Sequence, residues 1–222
     1  MTRATRKADQ TRSRIFATAL ELFRTRGFGQ TTMRDIATAS GVALGSAYYY
    51  FDSKEALVMT FYHQAKDDTS GLIEAALGGK RKLESRLRAI LSVKLEYFAA
   101  NRKFLGALFA HSADAQNPLS PFSEATREIR DADLRHFTAA LEGSDASVAD
   151  DLKAHLPLLL WLYQMGVILF WIHDRSEAQS RTTVLIDKSL PLVAGLIQVS
   201  SFPLLKPVRK RVIDLLDAVT AE

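Results

Sequence analysis

Apolar residues along this chain recur every three or four positions, and no stretch shows the two-residue alternation of a strand. Met33, Ile36 and Ala37 fall at the i, i+3, i+4 spacing of a buried helical stripe. Thr32 precedes that stripe and Asp35 follows three residues on, a capping-box spacing that starts a helix at about Met33. Gly41 ends it, because a residue without a Cβ can turn left-handed and redirect the chain within three or four residues; Val42 then plugs the corner. A second short helix is predicted at about Leu44 to Tyr50. A long one opens at Lys54, capped by Asp52 or Ser53, and continues through about Ala76 until Gly78-Gly79-Lys80-Arg81 breaks it.

Further on, Leu87, Ile90, Leu91, Leu95 and Phe98 mark an amphipathic helix over Leu83 to Ala100, and Lys103 to His111 gives another. Asn117-Pro118 and Ser120-Pro121 turn the chain into a polar helix of about Phe122 to Leu141, closed by Gly143-Ser144-Asp145 with Ser144 or Ser147 as the next cap. Leu156 to Ile172 is seventeen residues without a charge, yet it contains Gln164, ends at His173-Asp174-Arg175 and falls short of the roughly 20 apolar residues of a membrane span. It reads as a helix buried on several sides, and no membrane association is expected. Ser180 to Val199 forms the next helix, with Pro191 predicted to kink it or start a second segment. Leu204 to Val219 is a final amphipathic helix whose Arg209, Lys210 and Arg211 form a solvated face.

The short helix from Leu44 carries no charge but places Ser46, Tyr48, Tyr49 and Tyr50 on little more than two turns. Neighbours on a helix sit about 100° apart, so three consecutive tyrosines cannot all face a core, and an outward one can meet a phosphate or a thymine methyl. The plainer alternative is that Tyr48 and Phe51 only close a small core with Phe23 and Ile36. Lys54 stands in a first turn, where it opposes the positive end of the helix dipole; a DNA phosphate there would offset that cost.

These elements, with Ile15, Ala19, Leu22 and Phe23 on a first helix, Gly27-Phe28, Thr31-Thr32 and Ser53-Lys54-Glu55-Ala56-Leu57, make residues 11–63 resemble the DNA-binding domain of the TetR (tetracycline-repressor-like) transcriptional regulators. The resemblance implies an all-α chain. Residues 1–55 would form a three-helix helix-turn-helix domain with a basic arm at 1–8, and residues 56–222 a helical ligand-binding and dimerisation domain. It implies a homodimer on a palindromic double-stranded DNA operator, a small-molecule inducer, and repression as the default. Carried over by position, Thr32 and Arg34 fall on backbone and base contacts, Leu44, Gly45, Ser46, Tyr48 and Tyr49 on the recognition helix, and Lys54 on the phosphate contact. Leu44, Tyr50 and Asp52 depart from the common pattern, and without a basic recognition helix the bidentate Arg–guanine contact, worth about 1–3 kcal/mol, has to come from Arg34. The same resemblance suggests a four-helix dimer seam from the 156–172 and 180–199 helices, with Leu158, Leu162, Met165, Leu185, Ser189 and Val193 as candidates. An inducer would act by population shift: recognition helices must stand about 34–36 Å apart to enter successive grooves, and the helix from Lys54 is the lever.

Charge supports a nucleic-acid partner independently. Residues 1–62 hold nine Lys or Arg against five acidic residues, while the remainder balances at 20 of each, so the whole net charge of +4 resides in the proposed DNA-binding segment. Arg3, Arg6 and Lys7 in the arm are free to seek phosphates or the minor groove. The chain has 222 residues and 47% hydrophobic content, enough for two compact units. It has no cysteine, hence no disulfide or thiol chemistry, and no apolar run follows Met1 to Lys7, so a cytoplasmic protein without a signal peptide is expected.

Tyr97, Phe104, Phe109, His111, Trp161, Tyr163, Gln164 and Trp171 are aromatic or polar residues on core-forming helices and supply the candidates for an inducer site, Gln164 and His111 as its polar anchors. An enzyme is the main rival. Five histidines without HxxxH or HExxH spacing, no phosphate loop and no GxSxG elbow argue against it, and no metal or cofactor is expected. The other alternative is a DNA-binding protein of this fold without an inducer.

Overall fold

Ten α-helices carry the chain among the described residues: α1 (Arg3–Thr25), α2 (Met33–Ser40), α3 (Leu44–Tyr50), α4 (Lys54–Leu77), α5 (Leu83–Phe98), α6 (Arg102–Phe109), α7 (Arg127–Glu142), α8 (Leu156–His173), α9 (Ser180–Ser200) and α10 (Lys206–Thr220). The computed structural model describes residues 3–109, 114 and 116–220, with side chains from residue 5 to residue 218. No strand occurs among them, so the all-α expectation holds. The helices fall into two compact units, one of residues 1–65 with 99–129, the other of residues 66–98 with 130–222. The two units part at 65/66, further along α4 than the boundary expected at 55/56, and the first unit is discontinuous in sequence. Its completion by α6 had no periodicity signal: an eight-residue helix cannot declare which core it serves.

The first unit closes on aromatic contacts. Ile15, Ala19 and Phe23 of α1, Ile36 and Ala37 of α2, Ala47 of α3 and Leu57, Val58 and Phe61 of α4 are all buried. Phe104 of α6 stacks on Phe23 with centroids 5.3 Å apart and meets Phe61 edge-on at 5.7 Å. Such aromatic pairs add about 0.5–1.5 kcal/mol each beyond the area they bury.

Three expectations need correction here. The arm is helical from Arg3, because Ala, Arg, Lys and Gln are good helix formers, and the Thr11 hydroxyl donates to the Lys7 carbonyl at 3.0 Å. The helix expected from Phe122 begins at Arg127. Before it, Thr126 Oγ1 donates to the Ser120 carbonyl at 2.7 Å and Ser123 Oγ to the Pro118 carbonyl at 3.1 Å, side-chain bonds that compete with the helical ladder. Pro191 neither splits nor ends α9, which runs through it from Ser180 to Ser200. By length and composition α8 and the segment Glu177–Ser200 could each cross a membrane. In the second unit, however, Leu156, Leu160, Trp161, Gln164, Val167, Ile168 and Trp171 of α8 are buried, as in a core helix.

The core of the second unit draws Leu87, Ile90 and Leu91 of α5, Phe137 and Ala140 of α7, Leu160, Trp161 and Val167 of α8 and Ile186 and Leu190 of α9 into one cluster. Arg86 ties its edge. The buried guanidinium donates to the carbonyls of Leu77 (3.0 Å), the last residue of α4, and Lys80 (2.7 Å) in the loop beyond it, and to those of Ala139 and Ala140 (both 2.9 Å) in the last turn of α7. Terminal carbonyls lack helical donors and carry the negative end of the dipole, so one cation satisfies two helix ends. Arg86→Met is expected to lower stability by about 2–3 kcal/mol, read from urea unfolding midpoints at unchanged slope.

Candidate nucleic-acid interface

The helix-turn-helix is built from local chemistry. Thr32 caps α2 in an extended conformation (φ −109°, ψ 161°); its Oγ1 accepts from the Asp35 amide at 3.1 Å while Asp35 Oδ2 accepts from the Thr32 amide at 2.8 Å. The Thr32 hydroxyl also donates to Asp35 at 2.6 Å, and these bonds hold the Asp35 carboxyl below its ordinary pKa. Gly41 takes the left-handed conformation (φ 68°, ψ 36°), and the Val42 amide returns to the Ala37 carbonyl at 3.0 Å. α3 then starts at Leu44, two residues after that turn.

On α3 only Ala47 is buried. Gly45, Ser46, Tyr48 and Tyr49 are exposed, Tyr49 by 82%, and they share one arc opposite Ala47. Leu44 and Tyr50 are half-buried, Tyr50 lying edge-on to Tyr49 at 5.2 Å. Phe51, not Tyr48, closes the core. Arg34 is exposed in the first turn of α2 and forms no ion pair among the described residues. The arrangement presents an uncharged hydrogen-bonding helix, fixed by a glycine hinge, beside an unengaged guanidinium.

Two positions differ from the sequence reading. Lys54 donates to the Phe28 carbonyl at 2.7 Å and lies 4.5 Å above the Phe28 ring, so its first-turn position already has a partner within the chain. Arg6 and Lys7 are exposed on α1, whereas the side chain of Arg3 lies outside the described residues.

Residues 15–59 match the family described as bacterial regulatory proteins, tetR family, and residues 86–217 match the tetracyclin repressor-like C-terminal domain. The chain belongs to the TetR family. Among its relatives is the HTH-type transcriptional repressor KstR2 of Rhodococcus jostii (strain RHA1), 28% identical over 148 residues, which are 65% of this chain and 71% of that repressor. The uncharacterized HTH-type transcriptional regulator YerO of Bacillus subtilis (strain 168) is 28% identical over 197 residues, 85% of this chain and 66% of that protein. A solved structure of similar fold is the transcriptional regulator FadR from Bacillus subtilis in complex with stearoyl-CoA, 15% identical, with a TM-score of 0.60; the match covers 79% of this chain and 95% of that one. The chain is thus a DNA-binding transcriptional regulator of the TetR family, built from the helix-turn-helix and the helical C-terminal domain expected from its sequence.

The inducer candidates lie in different surroundings. Phe104 is filled core of the first unit, stacked between aromatic neighbours, and Phe109 is half-buried on the same helix. Tyr97 donates to Asp68 at 2.8 Å, Trp161 and Trp171 are buried, and His111 lies outside the described residues. Gln164 is buried in a polar cluster that sequence reasoning largely missed. Lys94 Nζ lies 2.7 Å from Asp133 Oδ1, Gln164 Nε2 donates to Asp133 Oδ2 at 3.0 Å, and His136 Nδ1 stands 3.9 Å from Asp133 Oδ1. Gln164 Oε1 and His136 Nδ1 are buried without a hydrogen-bond partner. The available signal was register: Lys94 occupies a core position in the Leu87, Ile90, Leu91 stripe.

Burial and the neighbouring Lys94 lower the His136 pKa, outweighing the opposite pull of Asp133 and Glu74; Arg135 adds to the lowering. An unfolded histidine protonates near pH 6.5, so the unfolded chain binds the proton first and stability falls as pH drops through that value. Melting temperatures followed from pH 8 to pH 5 should decline, and His136→Gln should flatten the decline.

Of the dimer candidates, only Leu162 is exposed. Leu158, Met165 and Val193 pack against the core, Leu185 is half-buried, and Ser189 bonds the Tyr163 hydroxyl at 2.6 Å. The exposed apolar residues are instead Leu169 and Phe170 on α8 and Val184, Leu192 and Leu196 on α9. Between α8, α9 and α10 runs an apolar groove of about 480 Å³, lined by residues including Leu156, Leu160, Ile197 and Val208. Of the inducer candidates among the described residues, only Tyr163 lines it.

Proposed function

We propose that this protein is a homodimeric repressor that reads a palindromic operator through α3 and Arg34 and leaves it when a small molecule enters the second unit. The observation that carries the reading is the exposed Gly45, Ser46, Tyr48, Tyr49 arc on a helix fixed by the Gly41 turn. Arg34 supplies the guanine contact, and α3 reads thymine methyls and shape. Lys54, Arg6, Lys7 and Arg3 add backbone affinity, Lys54 with the donors that Phe28 leaves over. The exposed apolar residues of α8 and α9 form the dimer seam, in place of the half-buried set. Gln164 Oε1 and the aromatic α8 residues Trp161 and Trp171 favour an effector that donates a hydrogen bond from an apolar body. A FadR relative holding stearoyl-CoA within the same fold supports a ligand-binding role for this domain. Repression, an operator in cytoplasmic DNA and the absence of catalysis complete the reading.

The test is binding-site selection from genomic DNA with purified protein, repeated with Tyr49→Ala. A palindromic site lost in the variant supports the proposal. Salt-sensitive binding without sequence preference would replace it with a DNA-packaging protein of this fold that needs no inducer.

A further inference from the structure

Every buried side-chain nitrogen or oxygen that lacks a hydrogen-bond partner among the described residues belongs to one cluster: Asp133 Oδ1, His136 Nδ1 and Gln164 Oε1. Asp133 Oδ1 has the Lys94 charge beside it at 2.7 Å, whereas His136 Nδ1 and Gln164 Oε1 have nothing within hydrogen-bond reach. His136 and Gln164 are 8% and 1% exposed, so bulk water does not serve them. The unmet atoms share one polarity. Gln164 donates through Nε2 to Asp133 Oδ2 at 3.0 Å, which leaves Oε1 as its free end, and an amide oxygen only accepts. Burial and Lys94 disfavour the imidazolium of His136, and a neutral imidazole accepts at its bare nitrogen. Charge narrows the partner further. Asp133 already balances Lys94, and Glu74 and Arg135 add one charge of each sign around His136. A cation would meet Lys94 with no counter-charge to spare, and an anion would set its oxygens against those of Asp133 and Gln164.

We propose that this cluster is the recognition end of the effector site, and that the effector is an uncharged compound whose hydroxyl or amide N–H groups donate to Gln164 Oε1 and His136 Nδ1. This rests on the reading of the second unit as an effector domain and narrows it to one ligand chemistry. Trp161, Ile168 and Trp171 stand three, four and seven residues from Gln164 on the buried face of α8, and they give the apolar body of such a compound its wall. The cluster is also placed to report its occupancy. Lys94 lies about one turn before the chain enters the first unit at 98/99, and Asp133 about one turn after it returns at 129/130. Just inside the first unit, the Asn101 side-chain oxygen accepts from Arg24 Nε of α1 at 2.8 Å, so the segment that follows Lys94 is fastened to the helix-turn-helix domain.

Calorimetric titration of the full chain with matched probes tests this. Resorcinol and benzamide carry the donors. Their methylated counterparts, 1,3-dimethoxybenzene and N,N-dimethylbenzamide, keep the ring and the oxygens without them, and benzoate and benzamidine add a charge of either sign. Resorcinol or benzamide is expected to bind about tenfold more tightly than its methylated counterpart and than either charged probe, the better of the two telling hydroxyl from amide recognition. Gln164→Leu and His136→Phe should each weaken that binding about tenfold. Equal binding of donor and methylated probes, tighter binding of a charged probe, or binding of none overturns the proposal, and these readings need only the parent protein, whether or not the variants fold. Release from the selected operator is measured separately. A donor probe that binds without releasing the protein supports the site and overturns the inducible reading; a compound that releases Gln164→Leu and His136→Phe as readily as the parent supports the inducible reading and overturns this site.

Discussion

Asp133→Ala is expected to destabilise the protein by about 3–5 kcal/mol, because it leaves the Lys94 ammonium buried without a counter-charge. Lys94 and Asp133 are only 4% and 7% exposed, so water cannot take over the lost partner. Gln164 loses its acceptor in the same step. Urea unfolding of the purified variant measures the loss. Replacing the cluster together, with Lys94→Met, Asp133→Leu and Gln164→Leu, is expected to be neutral or stabilising by up to about 4 kcal/mol, since desolvating the ions offsets much of their attraction. A large loss in the triple variant would show that the ion pair is a net contributor to stability. If the triple variant folds well but ignores every compound that releases the parent from DNA, the cluster belongs to the effector site and not merely to the core.

The second large effect is on DNA. Arg34→Ala should weaken binding to the selected operator by about 1–3 kcal/mol, roughly 5- to 150-fold, and relax the preference at one base pair of each half-site. Arg34 is exposed and forms no ion pair among the described residues, so unfolding midpoints should stay within about 0.5 kcal/mol of the parent. Equal weakening on every operator variant would make Arg34 a phosphate anchor and leave α3 to read the sequence alone.

Local signals were legible in the chain and long-range ones were not. Thr32 and Asp35, Gly41 and Ala47 to Phe51 act within a few residues of themselves, so the capping box, the left-handed turn and the bounds of α3 could be read directly. The outward tyrosine was likewise a matter of helical angle. Phe104 looked like a pocket wall because periodicity shows that a residue is buried without showing among what. Leu158 and Met165, assigned to a partner on the same grounds, are half-buried against the core of their own unit. Lys94 and Asp133 were passed over because charged residues are ordinarily solvated, and only the register of their helices marked them. Lys54 was left waiting for a phosphate because nothing in its own segment foretells that the Phe28 carbonyl lies within reach.

The stacking of Phe104 between Phe23 and Phe61 bears on how this gene can be recombined. The helix-turn-helix looks like a cassette that ends where α4 leaves it, but part of its aromatic core is encoded some forty residues later, within residues 99–129. A chimera that joins residues 1–65 to a foreign effector domain inherits an unfilled aromatic hole, and exchange of the reading head requires two crossovers instead of one.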